Sequence, residues 1–100
     1  MDYQKELITV SQKLIPDFEI SQEESLHKQS FIEKLSPYIS QLLDTDFQKL
    51  VQIMYRIDVS EKEFALTLQP GNAEIPEKLA EMIYERLCLK AKIRAEYKAK

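Results

Sequence analysis

The stretch "FQKLVQIMYRIDVSEKEF", residues 47–64, decides the fold class. Phe47, Leu50, Val51, Met54 and Ile57 recur at the spacing that puts them on one face of an α-helix, and this face is expected to be buried. "DV" at 58–59 breaks the pattern. Ser60, followed three residues later by Glu63, then matches a capping box, in which the serine hydroxyl takes the amide three residues on and the glutamate reaches back. A helix, a two-residue corner and a second short helix through "FALTLQ" follow one another without a strand signal between them.

The same punctuation recurs outward. Upstream, Thr45 to Gln48 reads as a capping box for the helix that holds Phe47. "SQEE" at 21–24 reads as another. It opens a helix through "SLHKQSFIEKLSPYISQLL", whose apolar stripe is Phe31, Leu35, Tyr38, Ile39 and Leu42. Pro37 lies inside that helix and cannot donate to the Glu33 carbonyl. The helix therefore either kinks there or restarts with Ser36 as its N-cap. The stripe stays in phase across Pro37, which favours a kink.

At the start, Tyr3, Leu7, Val10 and Leu14 share a helical face that Pro16 ends, with a short strand over "ITV" as the alternative. "DFEI" at 17–20 reads as extended. Downstream, "QPGN" at 69–72 places proline and glycine in the order of a type II turn. A last helix starts between Ala73 and Glu77 and runs close to the C-terminus. Short loops favour antiparallel neighbours, so the expected fold is an all-α, compact antiparallel bundle of four to five helices over residues 21–100. Residues 1–20 form an amphipathic segment that packs on the bundle, swaps to a neighbour or stays mobile.

Composition agrees with helix. One glycine, four prolines and no tryptophan in 100 residues make a poor recipe for a turn-rich β fold, and the length is that of one domain. Cys88 is the lone cysteine, so no internal disulfide can form, which suits a reducing interior. The opening "MDYQKELITV" lacks the basic and apolar regions of a signal peptide. No apolar run approaches the about 20 residues needed to span a bilayer. A cytoplasmic protein with no membrane contact is expected.

Few residues carry candidate chemistry. Asp44 and Asp46 in "DTD" fail the EF-hand pattern: counting from Asp44, Lys49 falls where glycine is needed and Tyr55 where glutamate is needed. They read instead as aspartates at a helix start, which complement its dipole. His27 is the sole histidine and Gly71 the sole glycine, so neither a His-based metal site nor a glycine-rich phosphate loop is available. Cys88 reads as a small apolar helix residue rather than a nucleophile. No catalytic residue, metal ligand or cofactor is assigned, and the reading is non-enzymatic.

The last helix is the most informative surface. Residues 1–85 hold 8 Lys/Arg against 16 Asp/Glu, near −8, whereas residues 86–100 hold 6 against Glu96 alone, near +5. Arg86, Lys90, Arg94 and Lys98 follow at steps of four and form a basic stripe. Like charges at that spacing repel by about 0.2–0.5 kcal/mol per pair, so a neutralising surface is expected opposite them. Three roles fit the stripe: a solvated cationic helix end, a contact with the acidic body of the same or a neighbouring subunit, or a nucleic-acid contact, the last disfavoured by the acidic whole.

Leu79, Met82, Ile83 and Leu87 make a core stripe. Leu89, Ile93 and Tyr97 continue on a neighbouring face past the reach of a short bundle, which points to a partner. The preferred reading is a protein-interaction or structural module, a homodimer through the last helix, with another protein partner also possible. The alternative is a small nucleic-acid accessory protein using the basic stripe. Arg56 and Asp58, which flank Ile57, read as structural: Asp58 is expected to pair with Arg86 and Arg56 with Glu85.

The segments "LLDTDFQKLVQIMYRIDVSEKEF" and "LAEMIYERLCLKAKIR" resemble a group of short, uncharacterised bacterial proteins that share an "LYRIDVSE"-like turn and a final helix with Glu-Arg and a basic end. The resemblance spans Leu35 to Arg94. It implies an all-helical fold and carries over no catalytic residue. The longer N-terminal segment, residues 1–20, departs from that group.

Overall fold

The computed structural model describes residues 4–25 and 27–98. Among them the chain forms six helices and no strand: α1 Gln4–Leu14, α2 Gln22–Ser25, α3 Lys28–Thr45, α4 Phe47–Ile57, α5 Glu61–Thr67 and α6 Ile75–Lys98. The fold is all-α, as expected. At 1.5 Å per residue α6 is about 36 Å long, and it forms the spine of a body whose longest dimension is 45 Å. α3 and α1 pack most extensively along it, α4 lies mainly on α3, and α5 touches the first half of α6.

One core joins these helices. Ile15, Phe31, Leu35, Ile39, Leu50, Ile57, Leu79, Ile83 and Leu87 are fully buried. Leu7, Val10, Phe18 and Ile20 belong to the same cluster, so residues 4–20 pack on the bundle of their own chain. α1 is a helix and not a strand, and Tyr3 lies outside the described residues. The Phe31 ring meets Phe18 at 5.5 Å and Tyr84 at 5.0 Å between centroids, which ties the α1–α2 connection, α3 and α6 at one point.

Local signals place most of the ends. At Ser21 the capping box is reciprocal: Glu24 N donates to Ser21 Oγ at 3.1 Å, and Ser21 N donates to a Glu24 carboxylate oxygen at 2.9 Å. These two contacts hold the Glu24 carboxyl below its ordinary pKa, the Ser21 amide acting most strongly. The helix it opens is short, however. α2 ends at Ser25, His27 is extended at φ −123°, and α3 begins only at Lys28. This one turn touches both α1 and α3.

Further along, α3 runs through Pro37 without restarting. Ser36 is an interior residue whose hydroxyl donates to the Ile32 carbonyl at 2.6 Å, so it is not an N-cap. Thr45 is likewise the last residue of α3, its hydroxyl donating back to the Gln41 carbonyl. The cap of α4 is Asp46, which accepts from Lys49 N at 3.2 Å. Beyond α5, Gly71 takes φ +94° and Asn72 N donates to the Gln69 carbonyl, as the "QPGN" turn requires. The Asn72 amide then caps α5, donating to the carbonyls of Leu66 and Thr67.

The buried face of α4 corrects the sequence reading. Leu50, Met54 and Ile57 are inside with Ile53, while Phe47 and Val51 stand outside at 44% and 40% exposure. The helix is rotated so that Ile53 takes the place expected for Val51. Truncating Leu35, fully buried where α3 meets α6, is expected to cost about 2–5 kcal/mol in Leu35→Ala. Chemical denaturation monitored by circular dichroism measures it; a loss below about 1 kcal/mol would contradict this packing.

Candidate functional site

The corner quoted at the outset is built by the backbone. Asp58 sits in the left-handed region, φ 66° and ψ 36°, which aspartate tolerates better than most residues. Its N–H donates to the Tyr55 carbonyl, and Val59 N donates to the Met54 carbonyl at 3.0 Å. This is the Schellman pairing, completed by the buried side chains of Met54 and Val59. One residue on, Ser60 Oγ accepts from Glu63 N at 3.3 Å and opens α5. Asp58 thus terminates a helix, and its carboxylate is left to face α6.

There it meets Lys90, not Arg86. Lys90 Nζ donates to Asp58 Oδ2 at 2.9 Å, while Arg86 Nε donates to the Ile57 carbonyl at 3.3 Å, one of the carbonyls that the end of α4 leaves open. Lys90, one turn further along α6, has the reach to the carboxylate that Arg86 uses for the backbone. Glu85 does not pair with Arg56; it faces Lys28, which lies 3.2 Å from Glu81 and 3.7 Å from Glu85. The hydrogen bond to Glu81 is the main cause of the raised pKa of Lys28. Arg56 is on the other side of α4, where with Tyr38, Lys49 and Gln52 it lines a half-open concavity of about 460 Å³.

The basic stripe is therefore engaged by the chain's own acidic body. Arg94 Nε donates to Glu6 Oε2 at 2.9 Å, with the Glu6 side chain only 12% exposed. With Arg86 on the α4 carbonyl and Lys90 on Asp58, three of the four stripe residues have partners in the same chain. The side chain of Lys98 lies outside the described residues. The hydrogen bond from Lys90, then its charge, hold the Asp58 carboxyl below its ordinary pKa, with Arg86 adding a smaller pull.

The apolar residues beside the stripe are another matter. Leu79, Ile83, Leu87, Ala91 and Ala95 form the buried face of α6, and α1 packs along this helix. The small side chains at 91 and 95 carry the core to the helix end, which a stripe of large residues alone did not reveal. Leu89, Ile93 and Tyr97 lie two residues on from Leu87, Ala91 and Ala95. Two residues turn a helix by about 200°, so they stand on the face opposite the core. They are 43%, 55% and 81% exposed. Lys90 and Arg94 line a shallow groove with Ile93 and Tyr97.

A second outer strip went unread in the sequence. Phe47, Val51 and Tyr55 follow at steps of four along α4, and Tyr55 is 75% exposed. The Phe47 ring stacks on Phe64 of α5 at 6.1 Å and 14°, and a groove beside it is lined by Val51, Tyr55, Asp58, Glu61 and Phe64. The signal was present, because these three residues keep one helical phase distinct from that of Leu50, Met54 and Ile57.

The remaining candidates take ordinary places. His27 is exposed just before α3. Cys88 is half-buried, and burial pushes its thiol up, away from the reactive thiolate. In the concavity near Arg56, Lys49 is turned to Asp17, and burial raises the Tyr38 phenol. No histidine, cysteine or serine lines it. Among the described residues no three His, Cys, Asp or Glu side chains converge as a metal site, and no helix is long and apolar enough to cross a membrane. No protein-family model matches the chain, and no curated protein and no solved structure shows significant similarity to it.

Two outcomes test these contacts. Lys90→Gln is expected to move the Asp58 carboxyl back toward its ordinary pKa in an NMR titration. Because the folded carboxyl binds a proton less readily than the unfolded one, the contact's stabilising effect is present at neutral pH and is lost as pH falls through the folded pKa. The stability gap between Lys90→Gln and the parent chain should therefore close in acid; an unchanged Asp58 titration would refute the pairing. Arg94→Ala removes a charged hydrogen bond from a largely buried carboxylate and is expected to destabilise by about 1–3 kcal/mol. Adding Glu6→Gln should recover part of that loss, and strict additivity of the two changes would argue against the contact.

Proposed function

We propose that the chain is a non-enzymatic helical interaction module that self-associates through the outer face of α6. One observation carries this reading: Leu89, Ile93 and Tyr97 are exposed together on the face opposite the core, beside charges that the chain already neutralises. An apolar strip at helical spacing with its neighbouring cations engaged is suited to a desolvated contact and poorly suited to a polyanion. A nucleic-acid reading needs free cations to displace counterions, and Lys90 and Arg94 are held by Asp58 and Glu6.

A homodimer is the simplest closed arrangement for such a face, since a two-fold contact uses one patch twice. Ile93→Glu is expected to weaken association at least tenfold in sedimentation velocity over a concentration series. It should leave far-UV circular dichroism unchanged, because Ile93 is 55% exposed on the face opposite the core. A chain that is monomeric both before and after the substitution would overturn the proposal.

A further inference from the structure

The two outer apolar strips adjoin. The α4–α5 groove has Asp58 in its wall and the α6 groove has Lys90 in its own, and these two side chains are hydrogen-bonded at 2.9 Å. The ion pair is therefore a ridge between two apolar grooves of about 290 and 440 Å³. The halves differ in sign. Asp58 and Glu61 line the α4–α5 side, while Lys90 and Arg94 line the α6 side. A surface with one acidic and one basic apolar half is complementary to itself when a second copy is turned by a two-fold axis.

Resting on the self-association reading, we infer that the surface receiving α6 is the α4–α5 groove of a second copy of this chain, so that Ile93 and Tyr97 of each copy sit against Val51, Tyr55 and Phe64 of the other. Both grooves are then filled at once. Lys90 of each copy, still bonded to its own Asp58, comes over Asp58 and Glu61 of the other, which sets the two internal ion pairs antiparallel across the axis, while Arg94 stays with its own Glu6. A contact of α6 on α6 leaves Tyr55 and Val51 in water and sets like charges against each other. The crossed contact avoids both. Aromatic side chains at the centre of such a patch, here Tyr55 and Tyr97, are the residues whose truncation costs an interface most.

The crossed geometry is tested by disulfide trapping in a Cys88→Ser background. Tyr55→Cys and Ile93→Cys chains are prepared separately, mixed in equal amounts and oxidised mildly, and the products are resolved without reductant. The mixed product should exceed either self-coupled product at least tenfold, and Tyr55→Glu should weaken the dimer at least tenfold in sedimentation, as Ile93→Glu does. Self-coupling of the Ile93→Cys chain as the main product, or a dimer indifferent to Tyr55→Glu, overturns the crossed contact while leaving self-association intact. A monomer with no coupling overturns both. Unchanged circular dichroism of each variant confirms that the fold is preserved in the comparison.

Discussion

Helix α6 can turn only one of its faces to the core, and the rest of the molecule is arranged around that constraint. Leu79, Ile83, Leu87, Ala91 and Ala95 run along the buried side for most of its length. α3 and α1 are the principal helices packed along it, and the end of α4 is bonded to it through the Ile57 carbonyl and the Asp58 carboxylate. A residue two places away from any of these necessarily points outward. The apolar character of Leu89, Ile93 and Tyr97 is thus not required by the core, and an alternation of polar residues there serves the fold equally well. That they are apolar is the feature of the chain in greatest need of an explanation outside the fold.

Electrostatics reinforces the same layout without deciding it. The excess of acid in the body and of base in the tail is resolved by contacts distant in sequence, Glu6 with Arg94 and Asp58 with Lys90. These pairs pin the two ends of the chain and the α4–α5 corner to the last helix. The Asp58–Lys90 contact is exposed enough that its effect on stability is small, and it joins the corner to α6. Arg86 contributes differently, by satisfying a backbone carbonyl at the end of α4, a role that an arginine fork performs and that a sequence pattern of charges does not distinguish from an ion pair.

The parts of this architecture that were legible in the sequence are those set by local rules. The box at Ser21, the serine cap at Ser60, the "QPGN" turn, the stripe of α3 and the start of α6 each depend on residues within a few positions of one another, and each stands where its pattern put it. What was illegible depended on tertiary company. α4 carries apolar residues around more than half its circumference, so Phe47, Val51 and Leu50, Met54 competed for the same core, and only the direction from which α3 approaches chose Ile53 over Val51. The end of α2 at Ser25 and the fresh start of α3 at Lys28 have no proline or glycine to announce them. The Asp46 cap was displaced by one residue because Thr45 back-bonds into α3. Of the two ion pairs expected between this corner and α6, that of Asp58 forms one turn further along, with Lys90, a distance that spacing within either helix cannot supply, and that of Arg56 with Glu85 does not form, because Arg56 lies on the other side of α4 and Glu85 faces Lys28 of α3.

The corner "YRIDVSEK" shows how these levels meet. Ending α4 with a left-handed residue favours glycine or asparagine at position 58, and aspartate tolerates that conformation better than most side chains. Glycine closes the turn equally well, but it leaves Lys90 without a partner beside an apolar groove, where an unneutralised ammonium disfavours burial of Tyr55 and Ile93 against anything. Aspartate closes the turn and neutralises Lys90 at once. The same residue therefore ends α4 with its backbone and holds Lys90 with its carboxylate. This dual position accounts for an aspartate among apolar residues at this point of the sequence.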